Sequence, residues 1–240
     1  MDNSEVRVSH HNTLLNKRKL YYCDGGAIDA INKLNELRRV MRKPDFCAFE
    51  DKDGCGEVSA RLSERAFICN AENTRGLENL SIEYFSIVLN YNEKENVIYS
   101  RGCNELMPSE NAAVHDGFYR GNARIKCVGH GHSPLIYNYC SAKENDAIII
   151  GGEKRNIPGL RRLAIEAGKD ERILKHDWSR FGGGNYGFFI EKEDKNSFYI
   201  VGESINDVLF GLLASGNKSL SEMIGSFNRE LSSLPNCEIY

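Results

Sequence analysis

Val128-Gly129-His130-Gly131-His132-Ser133-Pro134 sits at the end of the mainly apolar run Ile125 to Val128 and stops at a proline. A strand through this stretch places His130 and His132 two residues apart, on the same face. Gly131 between them removes bulk, so both imidazoles project into one space. Two convergent imidazoles make half of a zinc or other divalent-metal site. The competing reading is a pair of turn histidines at a strand end, and the surrounding sequence decides between them.

The order of elements follows from patterning on either side. Upstream, Ala27, Ile28, Ile31, Leu34, Leu37, Val40 and Met41 recur at helical spacing, between a start at Asp24-Gly25-Gly26 and a stop at Lys43-Pro44. Lys33, Glu36, Arg38 and Arg39 occupy the other face and read as a solvated surface. Short strands are expected at Val58–Leu62, Ala66–Cys69, Phe85–Tyr91 and Val97–Tyr99, joined by polar turns. Pro108-Ser109-Glu110 opens a helix from Asn111 to Tyr119, which leads into the histidine strand. Beyond it lie a helix Tyr137–Ala142, a strand Ala147–Ile150 and a helix Leu160–Ala167. Strands Tyr186–Ile190 and Phe198–Val201 follow, then helices Ser204–Ala214 and Leu220–Leu231. Residues 1–19 are polar and are expected to form an N-terminal arm, with His10 and His11 given no role. Residues 20–240 read as one α/β domain, a mostly antiparallel central sheet with helices on its faces.

Composition narrows the function. The chain has 240 residues, 41% hydrophobic and 27% charged, with a net charge of −3. No global basic field points to nucleic acid or to anionic lipid. No apolar run approaches the roughly 20 residues that span a bilayer, and Met1 to Asn12 lack the apolar core of a secretory signal. The eight cysteines include no C-x-x-C pair and read as reduced thiols of a cytoplasmic protein.

Several stretches, taken together and in order, resemble the class II aldolase/adducin superfamily over roughly residues 25–215. They are Leu80-Ser81-Ile82-Glu83-Tyr84-Phe85-Ser86-Ile87-Val88, Pro108-Ser109-Glu110, His115 with Phe118-Tyr119-Arg120, and the histidine stretch itself. The resemblance implies a single three-layer domain. It implies a divalent metal, usually zinc, held by three histidines, two of them His130 and His132. The metal supplies Lewis-acid stabilisation of an enediolate when a carbon–carbon bond breaks. Glu110 is the implied acid/base residue, with Ser59, Ser109 and Asn111 as substrate contacts. The implied activity is a metal-dependent lyase acting on a small hydroxy-carbonyl or sugar-like compound. The alternative is an adducin-like domain used for binding or assembly. The fold commonly assembles as a homo-oligomer, often a tetramer.

The chain departs from the family pattern at each part of the site. Counting back from His115 puts Asn111 in register with the family's glutamate, and Glu110 takes that role only with a one-residue insertion. The third histidine is replaced: one frame puts Asn196 at its position, another Tyr186, and His176 and His115 are the remaining candidates. The phosphate turn reads Gly56-Glu57-Val58-Ser59, where the carboxylate of Glu57 repels a phosphate. Arg75 is a candidate to compensate. Gly182-Gly183-Gly184 precedes a strand rather than a helix, so it reads as an unusual turn and not as a phosphate cradle.

Overall fold

The computed structural model describes residues 6–12, 25–43, 56–74, 77, 79–102, 105–142, 147–150, 156–181, 183–192, 194 and 196–216. The expected helix Leu220–Leu231, Arg75 and Gly182 lie outside them.

Ten strands form one sheet, in the order β1-β5-β4-β3-β2-β6-β10-β9-β7, with β8 added on β9. Their ranges are β1 Arg7–Asn12, β2 Glu57–Arg61, β3 Phe67–Asn70, β4 Phe85–Asn92, β5 Val97–Gly102, β6 Cys127–His132, β7 Ala147–Ile150, β8 His176–Asp177, β9 Asn185–Glu191 and β10 Ser197–Gly202. All pairings are antiparallel except β1 with β5 and β7 with β9. The described residues form five helices: α1 Gly25–Met41, α2 Ala112–Gly121, α3 Pro134–Ala142, α4 Ile157–Lys169 and α5 Ile205–Ser215. None is long and apolar enough to cross a membrane.

Two apolar clusters, one on each face of the sheet, make the three layers. The apolar stripe of α1 is buried with α5 against Val58, Ala60, Phe188, Phe198 and Ile200. Helices α2 and α4 cover the other face, over Phe67, Val128, Phe189, Tyr199 and Val201. Each fully buried leucine of α1 stabilises the fold by roughly 2 kcal/mol. Gly129 and Gly131 let α1 lie close beneath β6. A Cβ at Gly131 would stand 3.2 Å from the methyl carbon of Met41 and 3.1 Å from the Phe198 ring.

Three expectations change here. Residues 7–12, placed by their polarity in an arm, form the edge strand β1. Half of an edge strand faces solvent, so it carries Arg7 and Ser9 exposed while Val6 is buried. The polar face assigned to α1 is not solvated throughout: Arg38 is fully buried and Glu36 is 3% exposed. Helix α3 also starts three residues before its expected Tyr137. Ser133 Oγ accepts from the amide of Ile136, and Pro134 fits the first turn, where no amide is required.

Candidate functional site

Strand β6 lies at the centre of the sheet, between β2 and β10, and its register builds the site. Glu57 of β2 and Tyr199 of β10 pair with His130, while Ser197 pairs with His132. Paired residues of an antiparallel sheet share a face, so Glu57, His130, Tyr199, Ser197 and His132 all point toward the α2 side. The expected geometry holds in part: the two imidazole centroids lie 5.2 Å apart with planes at 61°.

The carboxylate beside them is Glu57. Its Oε2 lies 3.5 Å from His130 Nδ1, while Nε2 of the same ring lies 3.2 Å from Ser197 Oγ. Ser197 Oγ in turn donates to Glu191 Oε1 at 2.5 Å. The result is a continuous polar chain, Glu57–His130–Ser197–Glu191. Tyr199 stacks on His130, with centroids 4.3 Å apart and planes within 14°. His132 sits nearer the rim with Nδ1 3.6 Å from Asp194 Oδ2, and its side chain is 17% exposed against 4% for His130.

Electrostatics explain how a carboxylate survives here. Burial pushes the Glu57 carboxyl toward its neutral form. Hydrogen bonding and positive charge from His130 and a hydrogen bond from Ser109 outweigh that burial and hold it well below the usual carboxylate range. His115 on α2 sits behind this group, 2% exposed, with Nδ1 2.8 Å from Ser59 Oγ. Burial lowers its pKa to about 3 against the opposing pull of Glu57, with a further push down from His130. The ring is therefore neutral. Ser59 Oγ also bonds the Tyr119 hydroxyl at 2.7 Å.

The residues expected from sequence are distributed unevenly. His130, His132 and Ser109 come together. Ser59 is fully buried and spent on His115 and Tyr119, so it does not face a substrate. Glu110 is exposed just before α2, and the carboxylate in contact with His130 is Glu57 instead. Asn111 caps α2 in a helical conformation without a side-chain capping bond. Among the third-ligand candidates, Tyr186 lies on the opposite sheet face, packed on Phe210 of α5. His176 stacks on Tyr186, 4.9 Å between centroids, and goes with it. Asn196 precedes β10, where its carbonyl accepts from the Ser133 amide. Among the described residues no group of three His, Cys, Asp or Glu side chains could hold a metal ion. Among these residues the donor set falls one ligand short of the three-histidine centre that the resemblance implies.

Sequence reasoning missed Glu57 as a site residue because it read Glu57 only within its own turn. The signal was present: Glu57, Ser59 and Arg61 alternate as one strand face, and that face carries polar groups where a core strand carries apolar ones.

No protein-family model and no curated protein matches the chain. Solved structures do match. The chain is similar to YgbL from Klebsiella pneumoniae, described as a proposed aldolase/epimerase/decarboxylase, at TM-score 0.52 and 11% identity, over 88% of this chain and 92% of that one. It is similar to an aldolase II superfamily protein from Pseudomonas syringae at TM-score 0.52 and 13% identity, over 87% and 86%. It is similar to L-fuculose 1-phosphate aldolase from Glaciozyma antarctica at TM-score 0.50 and 14% identity, over 83% and 80%. The fold is that of the class II aldolases.

Proposed function

We propose, from that fold as premise, that the site binds a small hydroxy-carbonyl compound and that His130 moves a proton on it. The reaction class is aldol-type carbon–carbon cleavage or the related carbon-acid chemistry. The observation that carries this reading is the buried carboxylate–imidazole pair of Glu57 and His130. Nδ1 faces Glu57, which stabilises the charged ring, so the proton that His130 exchanges with the substrate is the one on Nε2, handed over as Ser197 turns aside and recovered when the product leaves. Ser197 and Glu191 hold the far side of the ring, and Tyr199 fixes its plane. His132, beside Asp194 at the rim, is the group nearest an incoming carbonyl oxygen. Ser109 keeps Glu57 ionised by donating to it. No step is assigned to a metal, because His130 and His132 supply only part of a ligand set. Assembly into a homo-oligomer is part of the same reading, and light scattering of the purified chain tests it.

The test is exchange of the carbon-bound hydrogen next to the carbonyl. Hydroxy-ketones and hydroxy-aldehydes of three to six carbons are incubated with the protein in deuterated buffer and followed by NMR. Exchange or cleavage that disappears in His130→Gln, and falls by about 10²–10⁴ in Glu57→Gln, supports the reading. Equal rates in His130→Gln and the unaltered chain refute it. A second reading, a non-catalytic binding domain, draws on one observation, that His130 is only 3% exposed. Saturable binding of such a compound without exchange or cleavage favours it.

A further inference from the structure

Two buried charged side chains of the described residues show how such groups are matched here. Arg161, 5% exposed, donates to Asp116 through Nε and Nη2 and to Glu93 through Nη1. Glu36, 3% exposed, pairs with Arg39 at 2.8 Å. Arg38 differs. It is the largest fully buried side chain of the described residues, and it has no carboxylate partner among them. Only its Nη2 is bonded, to the carbonyls of Thr74 and Leu77, each at 3.0 Å. Among the described residues its Nε and Nη1 are buried without a hydrogen-bond partner, and so is Nη1 of Arg42, which follows the last residue of α1 and whose amide bonds the Arg38 carbonyl. Burial, and then the like charge of Arg42, lower the Arg38 pKa to about 10, which leaves the guanidinium charged at neutral pH.

A buried cation with orphan N–H groups beside a second cation is an unfavourable arrangement for an empty interior. It is a favourable one around an anion, since guanidinium groups match the oxygens of phosphate and carboxylate. We infer that Arg38 and Arg42 form an oxyanion site, for a phosphate or carboxylate group, at the C-terminal end of α1. Its location has a consequence for the histidine site. Gly56, at φ +91°, turns the backbone against Arg38, a Cβ there lying 3.8 Å from Arg38 Cγ and 3.9 Å from Nε. The next residue is Glu57, the partner of His130. Met41 of the same helix end packs beneath Gly129 and Gly131. The oxyanion site therefore lies at the strand ends that carry the histidines, on the α1 side of the sheet. Its donors are separate from the strand and loop residues Ser59 and Ser109 and from the imidazoles. The inference does not depend on the proton-transfer reading, and different residues test the two.

The experiment is thermal unfolding and calorimetric titration of the full chain with sodium phosphate and with sodium acetate, each against sodium chloride at matched ionic strength. A saturable rise in melting temperature of about 5–10 °C is expected at 100 times Kd. Phosphate alone acting assigns the site to phosphate groups, and acetate acting equally assigns it to carboxylates as well. Arg42→Gln, at a half-buried position, is expected to weaken the anion at least tenfold, and Arg38→Gln to abolish binding. Should Arg38→Gln fail to fold, Arg42→Gln and Arg38→Lys carry the test. His130→Gln is expected to bind the anion with unchanged affinity. The inference is overturned if neither anion exceeds chloride, or if Arg42→Gln binds as tightly as the unaltered chain. Loss of binding in His130→Gln, with Arg42→Gln unaffected, also overturns it by moving the anion to the imidazoles.

Discussion

Mild acid should destabilise this protein through His115, and the size of the effect follows from its burial. An unfolded histidine titrates near 6.5, whereas folded His115 titrates at about 3. The folded state therefore holds the ring neutral, and between those values the unfolded chain binds the extra proton. Stability rises with pH wherever the unfolded state binds more protons. The contribution of His115 is thus complete above the unfolded pKa and is lost as pH falls below it, toward the folded value. Integrating from about pH 7 to about pH 5 gives a loss of roughly 2 kcal/mol, or a fall of about 4–8 °C in melting temperature for a chain of this size. Glu57 does not contaminate this window. Its depressed carboxyl adds stability that is complete above the unfolded carboxylate pKa, so its share is lost only at more acid pH as the folded value is approached. The perturbation is His115→Asn, whose amide replaces Nδ1 toward Ser59 but does not titrate. The assay is urea unfolding of both proteins at each pH, read as the difference of differences. The variant should lose roughly 2 kcal/mol less than the parent on acidification. Parallel pH dependence in the two proteins would falsify the claim that His115 is buried neutral.

Three further outcomes follow from other parts of the structure. Asp116→Ala leaves Arg161 buried without its principal partner, so urea unfolding should show a loss of about 3–5 kcal/mol; a change under 1 kcal/mol would contradict that burial. Gly187→Ala puts a Cβ 1.7 Å from the carbonyl oxygen of Ile173, a backbone atom that cannot yield, and should cost at least about 3 kcal/mol or prevent soluble expression. Zinc analysis of the purified chain should find well under one ion per molecule, and EDTA should leave melting unchanged, since two imidazoles fall short of a zinc site. One firmly held equivalent, lost in His130→Ala, would show that a third donor lies outside the described residues.

Local patterning was sufficient for most elements. Spacing of three and four in α1, and the short apolar runs of β4, β9 and β10, reflect side chains that must face a core, and such patterns are written in consecutive residues. It failed where burial did not follow polarity. Arg38 looks like a surface residue by type, yet its long stem packs beside Gly56 and its head reaches the carbonyls of Thr74 and Leu77. β1 looked like an arm because an edge strand needs little apolar character, provided a neighbour such as β5 supplies its hydrogen bonds.

For the site, the sequence by itself determined that two imidazoles share a strand face, because a strand repeats every two residues whatever surrounds it. Only the tertiary structure decided which carboxylate meets His130. Pairing of β2 with β6 brings Glu57 across 73 positions of chain, while Glu110, much nearer in sequence, faces outward. Register between distant strands is set by the whole sheet and by the helices packed on both faces. No window of sequence contains that information, and so the partner of the histidine was legible only once the chain had folded.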